Sequence, residues 1–235
     1  MKALPGKKIS LIIPALNEAE TIGLVLNSIP YKILEYMGYS VDIIVVDGGS
    51  TDGTVEIAKK YGAKVVIERR RGYGRAYLTG FKYARGDIIV TCDADNTYSL
   101  DIIPLCIKLI ERGYDFVNTN RFIKFERGAW SPLNLLGNKL FFLLHFLLFK
   151  LPFRDTQSGM WIFKRKLLRK MRLTAWGMEF SSEIKIEAWK RSKRVIEIPV
   201  FYRKRIGERK LRPLRDGFRI LLFLIKKRIL DFILK

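Results

Sequence analysis

A chain of 235 residues with 49% hydrophobic and 29% charged residues is long enough to bury a core and excludes two independent domains. Its formal net charge of +21, from 44 Lys and Arg against 23 Asp and Glu, calls for anionic partners: nucleic acid, acidic lipid headgroups or phosphorylated substrates. The two cysteines, Cys92 and Cys106, have no partner at metal-ligand spacing and read as reduced core residues.

The N-terminal MKALPGKKISLIIPAL sets basic residues before an apolar stretch, but Pro14, Asn17 and Glu18 interrupt it too early for a signal peptide. The chain is therefore expected to face the cytoplasm. Ser10–Pro14 and Asp42–Asp47 are short Ile/Val-rich runs, each followed by turn residues and a helical pattern, and Lys64–Glu68 and Asp87–Asp93 repeat that rhythm. Asn17 is expected to cap a helix from about Ala19 to Ile29, and Ser50 or Thr51 to open one that runs to Tyr61 and stops at Gly62. Such alternation implies an open, mainly parallel α/β sheet whose ligands sit at the carboxyl ends of the strands. The clusters Asn17-Glu18, Asp47-Gly48 and Asp93–Asp95 lie at such ends and are expected to converge.

Beyond Arg121 the rhythm loosens into a helix over Leu133–Leu151, a strand over Trp161–Phe163, a helix from about Ser181 to Arg191 and a strand over Val195–Tyr202. No stretch rich in Gly, Ser or Pro separates this half from the first. No window reaches the roughly 18 apolar residues a bilayer span needs, Leu140–Phe149 coming nearest. Leu133–Leu151 reads either as a core helix or as one lying in a membrane interface, with His145 packed or interfacial rather than catalytic. Phe218–Leu234 is helical in pattern. Leu221, Leu222, Ile225, Ile229, Phe232 and Ile233 form one broad face, and Lys226, Lys227 and Arg228 fall elsewhere, placed to snorkel to headgroups. The alternative is a terminal helix docked on the domain or pairing in a dimer. The Lys- and Arg-rich segment from Arg203 to Arg228 alternates with apolar runs, which suits a membrane surface better than a nucleic-acid groove.

The stretch IIVTCDADN ends a β-branched strand in Asp93-Ala94-Asp95. Two carboxylates so placed can share a hard cation, and that cation can neutralise a pyrophosphate; a solvated turn is the plain alternative. The order SLIIPALNEAETI, VDIIVVDGGSTDGT, RRRGYGRAYLTG and then the aspartate pair resembles the family 2 glycosyltransferases of the GT-A fold, over nearly the whole chain. The resemblance implies the GT-A nucleotide-sugar-binding fold with a C-terminal amphipathic helix, a nucleotide-sugar donor and Mg2+ or Mn2+ on Asp93 and Asp95. It makes Pro14, Ala15, Asn17 and Glu18 the first nucleotide loop, sets Asp47 at the base, and brings Gly74, Arg75 and Ala94 to the donor.

Asn120-Arg121, DTQSG over Asp155–Gly159, EFSSE over Glu179–Glu183 and EIPVFYRKRIGERKL resemble dolichyl-phosphate hexose synthases. That implies a polyprenyl or dolichyl phosphate acceptor gripped by Arg121 and Arg205, with Ser158 and Gly159 lining the sugar site and Ser158 near the phosphate. Asp95, Asp155 and Arg121 become the catalytic candidates. Arg121 could instead be a surface charge, and Asp155 could orient a phosphate that is already anionic rather than take its proton. The chain departs from the mannosyl-transferring pattern: Ser131–Leu136 contain no basic residue, Thr97 stands where relatives offer glutamine, and Gly48 follows Asp47, which leans the donor toward a UDP-sugar.

Residues 1–211 are thus expected to form the catalytic domain, 1–121 its nucleotide-sugar half and 122–211 its acceptor half, with 212–235 a basic helix on an anionic membrane surface. Monotopic attachment and inversion at the anomeric carbon are expected, and a homo-oligomer is left open. A protein or glycan acceptor is the competing enzyme reading. An RNA- or anion-binding module lacks an aromatic-and-basic signature, a dinucleotide enzyme lacks G-x-G-x-x-G after the first strand, and a processive synthase lacks Q-x-x-R-W.

Overall fold

The computed structural model describes residues 7–207 and 213–233. The expected boundary at 211/212 and the last residue of the expected C-terminal helix lie outside them. In chain order the elements are β1 (Lys7–Ala15), α1 (Ala19–Asn27), α2 (Tyr31–Tyr36), β2 (Tyr39–Asp47), α3 (Thr54–Lys60), β3 (Lys64–Ile67), α4 (Tyr73–Tyr83) and β4 (Ile88–Thr91). The second half supplies α5 (Ile103–Glu111), β5 (Phe116–Phe125), α6 (Pro132–Phe149), β6 (Trp161–Lys164), α7 (Phe180–Arg191), β7 (Val195–Tyr202) and α8 (Pro213–Ile233).

One seven-stranded sheet, in the order β3-β2-β1-β4-β6-β5-β7, runs through both halves. Every neighbouring pair is parallel except at β6, which is antiparallel to both β4 and β5. Alternate residues of the central strands serve opposite faces, so the β-branched runs are buried on both sides. Ile9, Leu11 and Ile13 pack with α1 and α5 residues such as Ile22, Val25, Cys106 and Ile107. Ile12, Ile44 and Val46 pack with Tyr77 of α4 and Phe180 and Ile184 of α7 on the other face. Cys92 and Cys106 are both free and buried, as expected of core residues.

β5 is the strand that the sequence pattern left unmarked. Its first half, FVNTN, is buried but carries polar side chains: Asn118 Nδ2, Thr119 Oγ1 and Asn120 Nδ2 find partners on distant segments, while Asn118 Oδ1 is buried without one. Asn17 does not cap α1, because its backbone sits at φ 47° and its side chain turns to the next loop. Helix α3 starts at Thr54 after Gly53, three residues later than expected from Thr51, since Ser50 is occupied with Asp47 and Asp52 receives the Thr54 amide at 3.1 Å.

α6 is 18 residues long, close to the expected Leu133–Leu151, and with a mean hydropathy of 1.4 it is long and apolar enough to cross a membrane, although its uninterrupted apolar run, Leu140–Phe149, is about half that length. Only 11% of it is buried: His145 and Phe149 turn inward, while Leu133, Leu136, Leu140, Leu143 and Leu147 are exposed. α8 docks through Ile220 and Leu224, and Lys227 points inward to Glu187 at 2.6 Å rather than out to headgroups. Phe218, Leu222, Ile225, Ile229 and Phe232 remain exposed, so the helix is both docked and apolar on its outer side.

Candidate active site

β1 and β2 end side by side, with Ala15 in register with Asp47, and the Gly48 amide donates to the Ala15 carbonyl at 2.8 Å. The two loops that follow are tied into one unit. The Asn17 amide donates to Ser50 Oγ at 2.8 Å, Asn17 Oδ1 accepts from the Thr51 amide at 3.0 Å, and the Glu18 amide donates to Thr54 Oγ1 at 2.9 Å. Asp52 adds a further tie, accepting from the Ala19 amide at 3.0 Å. Asp47 is fully buried; its Oδ2 accepts from the Gly49 and Ser50 amides and its Oδ1 from the Ser50 hydroxyl, so its carboxylate shapes the loop. Pro14 and Ala15 complete β1 at the same edge.

β4 delivers the carboxylate pair to that edge. The Tyr73 hydroxyl donates to Asp93 Oδ1 at 3.0 Å, and burial together with Asp93 pushes its phenol well up, so it stays a donor. Asp95 Oδ1 accepts from Thr97 Oγ1 at 2.6 Å and Oδ2 from Arg205 Nη1 at 2.7 Å, while Arg205 Nη2 donates to Glu18 Oε1 at 2.7 Å. Asn17, Glu18, Asp93, Asp95 and Arg205 therefore converge. Ala94, between the two aspartates, is buried in the core. Burial and the neighbouring Asp95 push the Asp93 carboxyl up to about 7. A crowded pair of carboxylates of this kind fits a hard divalent cation, whose charge would relieve the repulsion. Among the described residues no third carboxylate, His or Cys joins them in a preformed cage. Further ligands would come from a diphosphate and water.

The start of α4 is not open to phosphate. The Gly74 amide donates to the Gly177 carbonyl at 3.2 Å and the Arg75 amide to the Trp176 carbonyl at 3.1 Å. A Cβ on Gly74 would lie 2.5 Å from the Ala175 carbonyl and 2.6 Å from Phe180 Cβ, so this glycine serves close packing against α7 rather than the donor. Arg75 stacks on the exposed Trp176 ring at 4.2 Å.

The DTQSG segment is built around a buried ion pair. Arg121 Nε donates to Asp155 Oδ2 at 2.7 Å and Nη2 to Oδ1 at 2.8 Å, and the guanidinium lies 5.0 Å from the Trp130 ring and 5.4 Å from that of Tyr202. Arg121 is thus no surface charge, and two of its donors are spent on Asp155. Both Asp155 oxygens are engaged in turn, which suits orientation rather than proton abstraction. Ser158 is corrected outright: it is fully buried, and its hydroxyl meets Thr119 Oγ1 at 2.8 Å in the core. Gly159 does reach the site, where an added Cβ would lie 2.6 Å from the Tyr73 hydroxyl and 2.7 Å from Asp93 Oδ2.

Four residues that shape the site had no role assigned from the sequence, though three of them lie within the quoted motifs: Asp52, Tyr73, Lys185 and Glu197. Glu197 accepts from Asn118 and Asn120 side chains and from the Arg154 and Asp155 amides, clamping the DTQSG segment to β5. Lys185 is fully buried, donates to the Ser158 carbonyl at 2.7 Å, and is pulled down to about 7 by burial. Charged residues on otherwise buried elements were the available signal. A cavity of about 390 Å³ lined by Lys7, Tyr39, Asp87 and Arg169 opens at the opposite ends of the strands, away from this chemistry.

Residues 10–172 match the family described as Glycosyl transferase family 2. The chain is 34% identical over 209 residues to the dolichyl-phosphate hexose transferase of Haloferax volcanii, covering 89% of each chain. It is 29% identical to the dolichol-phosphate mannosyltransferase of Pyrococcus furiosus, over 87% of this chain but 59% of that enzyme. Glucosyl-3-phosphoglycerate synthase from Mycobacterium tuberculosis, solved with Mn2+, UDP-glucose and phosphoglyceric acid, superposes with a TM-score of 0.74 at 25% identity, over 95% of this chain and 80% of that one. Mannosyl-3-phosphoglycerate synthase from Rubrobacter xylanophilus, at 21% identity and a TM-score of 0.75 over 96% of this chain and 74% of that one, shares the fold. Strands β2 to β6, the joined first loops and the aspartate pair after β4 all lie within the matched stretch, and the chain belongs to glycosyl transferase family 2, as a glycosyltransferase of GT-A fold.

Proposed function

We propose that this glycosyltransferase moves a hexose from a nucleotide sugar, a UDP-sugar ahead of GDP-mannose, to a dolichyl or other polyprenyl phosphate at a membrane surface. The observation that carries the reading is Arg205. The loop after β7 brings a guanidinium suited to phosphate to the same Asp95 that would hold the cation, in a chain whose α6 and α8 carry exposed apolar faces. The names of the Haloferax and Pyrococcus relatives support a lipid-phosphate acceptor, and the Mn2+ and UDP-glucose of the mycobacterial neighbour support donor and cation.

Pro14, Ala15, Asn17, Glu18 and Asp47 form the wall for the nucleotide, and Asp93 and Asp95 hold Mg2+ or Mn2+. When bound, the cation neutralises the charge that gathers on the departing diphosphate. Arg121 and Asp155 fix the floor of the sugar pocket through their mutual grip. The acceptor phosphate is anionic near neutral pH and attacks the anomeric carbon opposite the diphosphate, with inversion, so no residue need abstract a proton. Residues 1–211 perform the chemistry, and 212–235 lie with α6 in the plane of a cytoplasm-facing membrane surface.

The test incubates purified protein with Mn2+ or Mg2+, radiolabelled UDP- and GDP-hexoses and dolichyl phosphate, and counts label in the organic phase. Label from one donor is the expected result and names the sugar. Label that stays in water while the donor still binds would overturn the lipid acceptor in favour of a soluble one.

A further inference from the structure

Arg205 belongs to the loop after β7, yet its guanidinium spans two segments from the other half of the chain, Asp95 at the end of β4 and Glu18 in the β1–α1 loop. Its side chain is only 21% exposed, and its Nε is buried without a hydrogen-bond partner, so the two carboxylates hold the group. The backbone beside it is pinned as well: the Arg203 amide donates to the Thr97 carbonyl at 2.7 Å and the Lys204 amide to Glu126 Oε2 at 2.8 Å. Asp95 Oδ1 is taken by the Thr97 amide and hydroxyl. Oδ2 is therefore the oxygen through which Asp95 meets a positive charge.

A guanidinium and a divalent cation compete for that oxygen, because two positive centres at contact distance repel strongly where water is scarce. We propose that Arg205 and the divalent cation compete at Asp95 Oδ2, so that entry of the cation releases the Arg205 side chain, from a backbone anchored at Arg203 and Lys204, toward the acceptor phosphate. This rests on the proposed function for the identity of the acceptor, though not for the competition itself. The ion pair acts as an internal counter-ion for the aspartates, and its exchange orders the reaction: cation with donor first, acceptor second. Glu18, at the nucleotide loop, is the second partner that Arg205 gives up, which links the release to the filling of the donor wall.

The experiment titrates Mn2+ into the full chain by electron paramagnetic resonance, without nucleotide or lipid, comparing wild type with Arg205→Ala and with Asp95→Asn as the control for the site. Losing the competitor should tighten Mn2+ binding at the Asp95-dependent site about tenfold, the equivalent of one competing ion pair. Equal or weaker binding by Arg205→Ala overturns the proposal. Should that variant fail to fold, wild type decides. Mn2+ should speed tryptic cleavage after Arg205, identified by the mass of the fragments, and a rate independent of Mn2+ overturns the proposal. Neither readout involves lipid or sugar transfer, so a failed acceptor assay leaves this competition standing, and a failed competition leaves the acceptor reading standing.

Discussion

At Gly159 the backbone is fixed from three sides: its amide donates to the Tyr98 hydroxyl at 2.7 Å, and its carbonyl accepts from Thr91 Oγ1 at 2.9 Å and from the Tyr77 hydroxyl at 3.3 Å. There is no room to retreat, so a methyl group at this position must push Asp93 or Tyr73. Gly159→Ala is expected to retain its fold while losing about 10- to 100-fold in Mn2+ affinity, as for a lost outer-shell support. Calorimetric titration with Mn2+ beside a melting curve checks this; unchanged affinity would separate Gly159 from the cation site. The aspartate pair itself was legible because a β-branched strand ending in D-x-D is a local signal. The Arg121–Asp155 pair was not legible for the opposite reason: the two residues lie on different segments, and pairing across segments leaves no mark in either one.

The same limit governs whole elements. β1, β2 and β4 announce themselves through continuous Ile/Val runs, since both of their faces are covered. β5 does not, because its inward polar residues are paid for by Glu197, Asp155 and Met160 from elsewhere in the chain. α6 was read correctly as a helix, but its inner line was not readable. His145 proves to be part of that line, fully buried, with Nδ1 at Phe141 O and Nε2 unpartnered. Burial lowers its pKa to about 4 from the usual 6.5. The unfolded chain thus takes up the proton first, and stability present above pH 6.5 is lost as pH falls toward 4, by about 3 kcal/mol over that window. The melting temperature of His145→Leu should consequently fall less steeply than that of wild type between those two pH values. Parallel curves would mean that His145 is protonated equally easily in both states.

For the whole molecule, charge and apolar surface act together. On the proposed membrane reading, the excess of Lys and Arg would draw the protein to acidic headgroups from a distance, and the exposed outer faces of α6 and α8 would supply burial on contact. Flotation with vesicles containing phosphatidylserine should fall as salt rises from about 0.1 M to about 1 M, because the screening length shrinks from about 10 Å to about 3 Å. Replacing Leu136, Leu140 and Leu143 by Gln should cut binding further at every salt level without lowering the melting temperature, since all three are exposed. Binding that ignores both changes would remove these helices from the membrane contact.

The antiparallel strand β6 has a consequence for how the protein is made. β4 is buried along its whole length, and one of its two edges is closed only by β6, through Ile88 with Lys164, Ile89 with Phe163 and Val90 with Ile162. During synthesis the amino-terminal half leaves the ribosome first, with an apolar strand edge open while about seventy more residues are added. Such an edge is a template for pairing with another chain. The segment that closes it is the one joined to Gly159, so the strand pairing that ends the aggregation hazard also assembles the catalytic edge, and the nascent chain has no active site to offer before it has protected itself.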